Sequence, residues 1–428
     1  MQIYGFIKII LIITSIVILF YILFYTKKIT YVDAHNLDEP LIKNTDTVIS
    51  ICMAGCSSGM ARCALAQHAA LSKAGIRSIL ICTKNTFIAQ TAEKLHLPFI
   101  TCNPFRLSFG KFAWMPGIQA ALKNVLQKYD NVLAIHCHYK RDVFTAKKLV
   151  DTRNIPVVLT HHMPTYLYTS VREEADGVIA VSKSIAEYLM HLNKQDNIKS
   201  PIVAIPPFFD DTRLTSFIPS DESRETFFKK TFNIELKSCP LLVKVAHLYS
   251  NIHHKNHPLL FQAMHDLIYK RNTPVQVALA GTGPRLDLYK KMVHELGLNG
   301  YVHFLGNTEQ TPTIFHYADI NVLASSGDAF PLVLLEGGYM KKPTIIAREG
   351  CGAADWLIID QQTGFLFENK NATDLADKIF YVLTHQDIAQ TCGNNLYKKI
   401  MKDFQPAKTT QAMVAFYTQL HEQKRLRH

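Results

Sequence analysis

The chain has 428 residues, 48% of them apolar and 19% charged, with a formal net charge of +11. That length suits two domains better than one, and so large an apolar share excludes a disordered or nucleic-acid-coating protein. The basic balance fits an anionic partner such as a phosphorylated small molecule or anionic lipid, while the lack of an Arg-rich cluster or an RNA-binding aromatic motif argues against nucleic acid as a partner.

The nine cysteines are irregularly spaced and include no Cys-x-x-Cys pair, so neither a disulfide framework nor a zinc ribbon is expected. Cys52, Cys82, Cys102 and Cys137 fall in or beside apolar runs and read as small core residues in a reducing compartment. At the N-terminus, "IILIITSIVILFYILFY" (9–25) is seventeen residues long and almost wholly apolar. It is near the short limit of a spanning helix, about 17 residues. Lys8 precedes it, Lys27 and Lys28 follow, and Tyr21 and Tyr25 suit a membrane interface. An uncleaved single-pass anchor is expected. The rival, a cleaved signal peptide, has only the poor cleavage site Val32-Asp33-Ala34, far from the apolar run. Lys27, Lys28 and Lys43 place the rest of the chain on the cytosolic side.

From residue 47 the pattern is strand, Gly-rich turn, helix, strand. "TVISICMAG" reads as a buried strand, "SSGM" as a turn, and "ARCALAQHAALSKAG" as a helix ended by Gly75. Further strands are expected at "IRSILICT", "LPFITC", "NVLAIHCH", "PVVLTHH", "GVIAVS" and "IVAIPP". Strands alternating with helices predict a parallel sheet covered on both faces. Between the third and fourth strand signals, "RLSFGKFAWMPGIQAALKNVLQK" (106–128) interleaves Arg106 and Lys111 with Phe109, Phe112 and Trp114. It reads either as an ordinary helix preceded by a loop, or as a segment lying on lipid headgroups or a lipid-linked acceptor.

A polar, helix-like stretch at 210–238 breaks the rhythm, which restarts with "PLLVKVAHL", "PVQVALAG", "YVHFLG", "INVLAS", "PTIIA" and "GFLF". The expected organisation is an anchor and linker at 1–44, a Rossmann-like domain at 45–215, a second at 216–400, and a C-terminal helix with a basic tail at 401–428. Two such lobes enclose a cleft suited to a nucleotide, because strand C-termini and helix N-termini face it.

Four stretches carry possible chemistry. In "AGCSSGMARCALA", Gly55 and Gly59 bracket two serines before a helix, where free N–H groups attract anions. A Gly-rich turn needs no ligand, however. In "VAHLYSNIHHKNHPLLFQA", Lys255 stands just before a helix as a mobile cation. His253 and His257 have zinc-like i, i+4 spacing, but Pro258 favours a helix start there and leaves them in a loop. In "ALAGTGPRLDLY", Gly281, Gly283 and Pro284 turn tightly into a helix. Last, "SSGDAFPLVLLE" puts Asp328 in a loop and Glu336 more than a turn inside a helix, with Pro331 expected at its first position. The unpaired N–H groups from Phe330 to Val333, proline itself having none, form an electropositive mouth for a phosphate. Carboxylates on either side of it can hold hydroxyls.

These motifs, in this order, resemble glycosyltransferase family 4, with its two-domain GT-B fold. "GTGP" with "LGLNGYVHFLG", "YADINVLASS" before the acid pair, "KKPTIIAREGCGAADWL" and "QQTGFLF" after it, and "IHCHY", "IPVVLTHH" and "ADGVIAVS" in the first half carry the likeness over roughly 47–390. The resemblance implies a sugar-nucleotide donor, transfer to a glycan or lipid-linked acceptor with retention of anomeric configuration, and no cofactor or metal. It implies that Asp328 contacts the transferred sugar, Glu336 the ribose and Lys255 the diphosphate. His162 would contact the sugar, with His161 a close alternative. The turn from Gly55 to Gly59 would approach the phosphates, and His247, Gly283, Phe330, Pro331 and Leu332 would complete the donor site.

Three departures stand out. Asp328 replaces the usual Glu, Ala246-His247-Leu248 replaces Gly-Arg-Leu, and "PPFFDD" replaces the usual Asn-Gly after Ile-Pro. The departures leave room for a catalytically silent GT-B protein that binds a sugar nucleotide or a protein partner.

Overall fold

The computed structural model describes residues 32–35, 46–55, 58–103, 107–109, 112–150, 153–163, 167, 169–208, 214, 221–248, 255–349, 352 and 354–426. Among these no helix is long and apolar enough to cross a membrane, and the apolar run at 9–25 lies outside them.

The first lobe is built from β2 (Thr47–Cys52), α1 (Gly59–Lys73), β3 (Arg77–Thr83), α2 (Phe87–Lys94), β4 (Phe99–Cys102), α3 (Pro116–Lys128), β7 (Val132–Cys137), α4 (Lys140–Val150), β8 (Val157–His161), α5 (Thr169–Glu174), β9 (Gly177–Ala180), α6 (Lys183–Gln195) and β10 (Ile202–Ala204). Its central strands β2, β7, β8 and β9 are buried along their whole length, because helices cover both faces of the sheet. Serine and threonine start several helices: Ser58 caps α1 and Ser182 caps α6, each accepting from a backbone N–H at 3.3 Å.

Two local expectations need correction. Residues 32–35, placed in the linker, form strand β1 (Val32–His35), which adds antiparallel to the outer edge of β4. His35 stacks on Phe99 at 4.4 Å and Asp33 pairs with Lys84 at 3.7 Å, so the edge is covered by a short, charged strand. The segment before α3 is not a plain loop: β5 (Leu107–Phe109) and β6 (Phe112–Trp114) make a small hairpin.

The second lobe contains α7 (Arg224–Phe232), β11 (Leu241–Val245), α8 (His257–His265) with a π turn to Lys270, β12 (Gln276–Ala280), α9 (Leu286–Glu295), β13 (Val302–Gly306), α10 (Thr311–Tyr317), β14 (Ile320–Leu323), α11 (Leu332–Tyr339), β15 (Thr344–Ala347), α12 (Ala354–Leu357), β16 (Phe365–Phe367), α13 (Ala372–Thr384) and α14 (Gln386–Asp403). Its strands run in the order β13-β12-β11-β14-β15-β16, all parallel. The first lobe repeats that order as β4-β3-β2-β7-β8-β9-β10, with β1 outside β4. Each sheet therefore reverses its winding once, between β2 and β7 in the first lobe and between β11 and β14 in the second.

The segment 401–428, expected to be a separate helix and tail, divides between the lobes. Residues up to Asp403 finish α14 on the second lobe. After Pro406 the chain returns as α15 (Pro406–Arg425), and Met413, Phe416, Tyr417 and Leu420 enter the first lobe's core with Val48, Leu133, Val158 and Ile179. Gly177 leaves the room this needs, since a Cβ there would meet Phe416 and Leu420 at 2.7 Å.

The first lobe should therefore lose stability when α15 is trimmed. Phe416→Ala is expected to cost about 3 kcal/mol in urea denaturation followed by circular dichroism. The same change at Phe380, 40% exposed, should stay within about 0.5 kcal/mol.

Candidate active site

A doubly wound sheet opens a crevice where consecutive strands send their chains to opposite sides. In the second lobe that place is the carboxyl end of β11 and β14. The chain leaving β11 enters α8, and the chain leaving β14 enters α11. Both helix starts lack a side-chain cap: Asn256 precedes α8 in a left-handed conformation, and Pro331 precedes α11. Their first N–H groups are thus available to an anion. Pro331 is the N-cap rather than the first helical residue, with φ −74° and ψ 116°. Its ψ is extended, so the helix begins one residue later than the proline rule suggests.

Lys255 and Asp328 meet across this crevice. The Lys255 ammonium donates to Asp328 Oδ1, and the two side chains are only 18% and 11% exposed. The loops holding them are clamped together. Asn256 Nδ2 donates to Ser326 Oγ at 3.2 Å, and Ser326 donates to Asn369 at 2.7 Å. The Asp328 carbonyl accepts from Gly352 N–H at 2.9 Å. Ala329 is buried in the first lobe's core cluster, and Phe330 packs against that cluster and its own lobe's. The loop carrying Asp328 is therefore gripped by both lobes.

Glu336 is the fifth residue of α11, about 6 Å along the axis from Leu332. Gly337 and Gly338 press the helix against its neighbours: a Cβ on the first would collide with Asn321, and one on the second with Ile400. The turn after β12 has a similar logic. Gly281 has φ +142°, and a Cβ there would strike the Ala246 carbonyl. A Cβ on Gly283 would strike Leu248. Gly283 thus lets the turn lie flat on residues 246–248. His247 Nδ1–H donates to the Thr282 carbonyl at 3.1 Å, which fixes the proton on Nδ1 in the neutral ring.

In the first lobe, the turn after β2 and the ends of β7 and β8 share the carboxyl edge of the sheet. Cβ atoms added at Gly55 or Gly59 would meet nothing within 4 Å, so packing does not demand glycine at either. Arg62 of α1 pairs with Glu309 of the second lobe at 3.3 Å. His162 is partly open, whereas His161 is buried as the last residue of β8.

Sequence reasoning missed what supports His162. His138 Nδ1 bonds His162 Nε2 at 3.0 Å, and the rings lie 5.3 Å apart. His138 in turn packs on His136 at 4.4 Å. His136 bonds Thr160 Oγ1 at 2.6 Å and the Tyr417 hydroxyl of α15 at 2.9 Å. Burial pushes His136 and His162 down to about 3, and His138 well below the usual histidine range. All three are neutral in the physiological range. The alternation of His136 and His138 in "IHCHY" was the available signal.

The sequence-predicted residues thus divide. Lys255, Asp328 and the two open helix starts converge directly. His162 follows the carboxyl end of β8 in the other lobe, against His138. Gly283 serves the packing of the second-lobe loops. Among the described residues, no group of three or more His, Cys, Asp or Glu side chains could hold a metal ion. His253 lies outside them, and His257 is buried at the start of α8. The described cysteines are all free, and burial pushes Cys52, Cys63 and Cys102 up to about 12.

Two family models match the chain. The one described as "Glycosyltransferase Family 4" covers residues 57–213, and the one described as "Glycosyl transferases group 1" covers 233–399. An N-acetyl-alpha-D-glucosaminyl L-malate synthase of Bacillus anthracis is 23% identical over 78% of this chain and 92% of its own length. An N,N'-diacetylbacillosaminyl-diphospho-undecaprenol alpha-1,3-N-acetylgalactosaminyltransferase of Campylobacter jejuni is 23% identical over 76% of this chain and 78% of its own. Among solved structures, a glycosyltransferase of Rickettsia africae superposes with a TM-score of 0.73 at 20% identity, covering 88% of this chain and 99% of that one. Anabaena HepE in complex with UDP-glucose superposes at 0.69 and 18%, covering 86% and 98%. The chain belongs to glycosyltransferase family 4 and has the GT-B fold.

The histidine stack makes a spectroscopic prediction. Ring nitrogen shifts of His136 and His162 should not titrate between pH 5 and 8, and His162 should hold one tautomer. His138→Leu should let His162 exchange tautomers, while His138→Asn, which keeps a polar atom near Nδ1, should not. A midpoint above pH 5.5 for His162 would contradict the buried, neutral arrangement.

Proposed function

We propose that this protein is a membrane-anchored, retaining glycosyltransferase that moves a hexose from a nucleotide-sugar donor to a glycan or lipid-linked acceptor. The observation that carries the reading is the Lys255–Asp328 pair at the β11–β14 crevice, between two uncapped helix starts. In the empty site each charge neutralises the other. An incoming diphosphate competes for Lys255 and lies against the N–H groups of α8 and α11. That frees Asp328 to accept hydroxyls of the transferred sugar. Glu336 then receives the ribose hydroxyls, and His162 closes on the sugar from the first lobe.

The barrier is lowered mainly by stabilising the departing diphosphate. Lys255 and the helix N–H groups are fixed before the charge develops, so little reorganisation is needed. The acceptor is held for attack on the oxocarbenium-like carbon from the face the leaving group occupies, which retains configuration. This reading gives no step to a metal or cofactor.

The membrane reading rests on the sequence at 9–25 and on topology. Val32 pairs with Cys102, at the carboxyl end of β4, so the chain enters β1 from the cleft side. Six residues, 26–31, separate it from the apolar run, a reach of about 20 Å. An anchor so placed holds the cleft close to a lipid-linked acceptor. The alternative is a silent GT-B protein, for which the departure at His247 speaks.

Two measurements test the proposal. A thermal-shift screen of UDP-, GDP- and other activated hexoses should find one that raises the melting temperature with concentration. With that donor, transfer or donor hydrolysis should fall by roughly 100-fold or more in Asp328→Ala. Donor binding without turnover in the wild type would favour the silent protein. For the anchor, the full chain should stay with membranes after a carbonate wash, and a chain starting at residue 31 should be released.

A further inference from the structure

A second lysine interacts electrostatically with both members of the Lys255–Asp328 pair. Lys244 is the fourth residue of β11, between Val243 and Val245, and only 2% of it reaches solvent. Its strand partner on β12 is Leu279. Among the described residues it has no carboxylate within 4.0 Å and no hydrogen-bond partner. A lysine enclosed to this degree and without a counter-ion is costly to keep charged.

The titratable and charged groups around it are few. Lys255 and His257 approach from the start of α8, and Asp328 from the β14–α11 loop. Asp328 is already engaged by Lys255. His257 is fully buried, stacks on Tyr289 at 5.0 Å, and has no partner for either ring nitrogen. Burial, then Lys244 and Lys255, push it down to about 2, so it remains neutral. With both lysines charged, this enclosed corner holds two cations and one carboxylate. With Lys244 neutral, it balances.

We propose that Lys244 is a reserve cation for the donor: without a donor it is increasingly unprotonated above neutral pH, and it takes up a proton from solvent when a diphosphate seats beside Lys255. This rests on the donor reading given above. It also accounts for His247. The position flagged for lacking a permanent cation is an imidazole tied to Thr282, and Lys244 supplies the missing charge when the ligand brings negative charge in. The direction of its titration agrees, for burial and the repulsion of Lys255 outweigh Asp328 and lower Lys244 to about 7. Lys244 is thus a positioning charge, acting on the diphosphate through space and through Lys255.

The test is calorimetry on the intact protein with UDP-glucose, whose diphosphate diester does not titrate near neutrality. At pH 8, titrations in buffers of different ionisation enthalpy should show uptake of close to one proton. Affinity should weaken on the order of tenfold from pH 7 to 8.5, since above the free-site midpoint each binding event must protonate Lys244. Lys244→Met, close in volume, should bind about tenfold or more weakly at pH 7, without proton uptake and without pH dependence. It should nonetheless melt higher than the wild type.

A ligand-free readout stands beside this. The folded midpoint is depressed from 10.5 to about 7. As pH falls from 10 the unfolded chain gains a proton at Lys244 that the folded chain refuses, so wild-type stability drops relative to Lys244→Met. The melting-temperature gap should widen down to about pH 7 and then level. If UDP-glucose binds with no proton uptake and Lys244→Met binds equally well, the proposal is overturned and the donor reading stands. If UDP-glucose does not bind at millimolar concentration, the uridine form of the donor reading fails. The stability gap then decides Lys244 by itself, and a flat or reversed gap overturns it.

Discussion

Charge balance in a nearly dry corner governs the second lobe's site. Two lysines, one carboxylate and two uncapped helix starts lie at the carboxyl ends of adjacent strands β11 and β14. Both helix starts and both lysines favour negative charge, and Asp328 alone offsets them. The engagement of Asp328 by Lys255, together with the discharge of Lys244 proposed above, would relieve that imbalance. The arrangement is stable as it stands and strongly receptive to an anion, which is the property a donor site needs. It arises from topology: the strand order reverses between β11 and β14, and no other gap in that sheet brings two helix starts together.

The rest of the molecule holds that corner in register with the first lobe. Ala329, one residue after Asp328, lies in the first lobe's core, and Gly352 packs between Ala329 and Ser182, where a side chain would not fit. Lys183 lies over the Trp356 ring at 5.3 Å, and Arg62 reaches Glu309. Helix α15 then crosses from the second lobe to the first and ends its path with Tyr417 against His136. A covalent return of this kind limits how far the lobes can separate, yet leaves the cleft face open. It also ties the histidine stack to the segment that leaves the second lobe.

The sequence made the strands legible because they are buried on both faces and read as unbroken apolar runs, as in "TVISIC" and "INVL". That Lys255 and Asp328 stand at neighbouring strand-to-helix turns was legible because each follows a strand signal and precedes a helix signal. Other features were not, for physical reasons. Strand β1 is four residues long and pairs with residues some seventy positions away, so no local periodicity marks it. The partner of α15 is likewise set by the fold: its apolar face could have covered either lobe, and only Gly177 hints at which. His138 was read as part of a strand motif because its role depends on His162, twenty-four residues later, which the parallel pairing of β7 and β8 brings alongside. Lys244 was hidden within an apolar strand, where a single polar letter looks like tolerance.

The two departures in the second lobe gain a common meaning from this geometry. An arginine at 247 would be charged at every pH, and its charge would add to Lys255 whether or not a ligand were present. His247 carries no such permanent charge, and its Nδ1–H is committed to the Thr282 carbonyl. The cleft therefore presents less fixed positive charge than the family pattern would give it. With the shorter Asp328 in place of a glutamate, the carboxylate still reaches Lys255, so the pair closes in the empty site. The flat seating of the 281–283 turn on residues 246–248 then fixes where His247 sits, and a bulkier residue at Gly283 would push it away from Thr282. The two departures thus lower the fixed positive charge at the crevice, and the protonation proposed for Lys244 would supply on donor binding what an arginine at 247 would hold permanently.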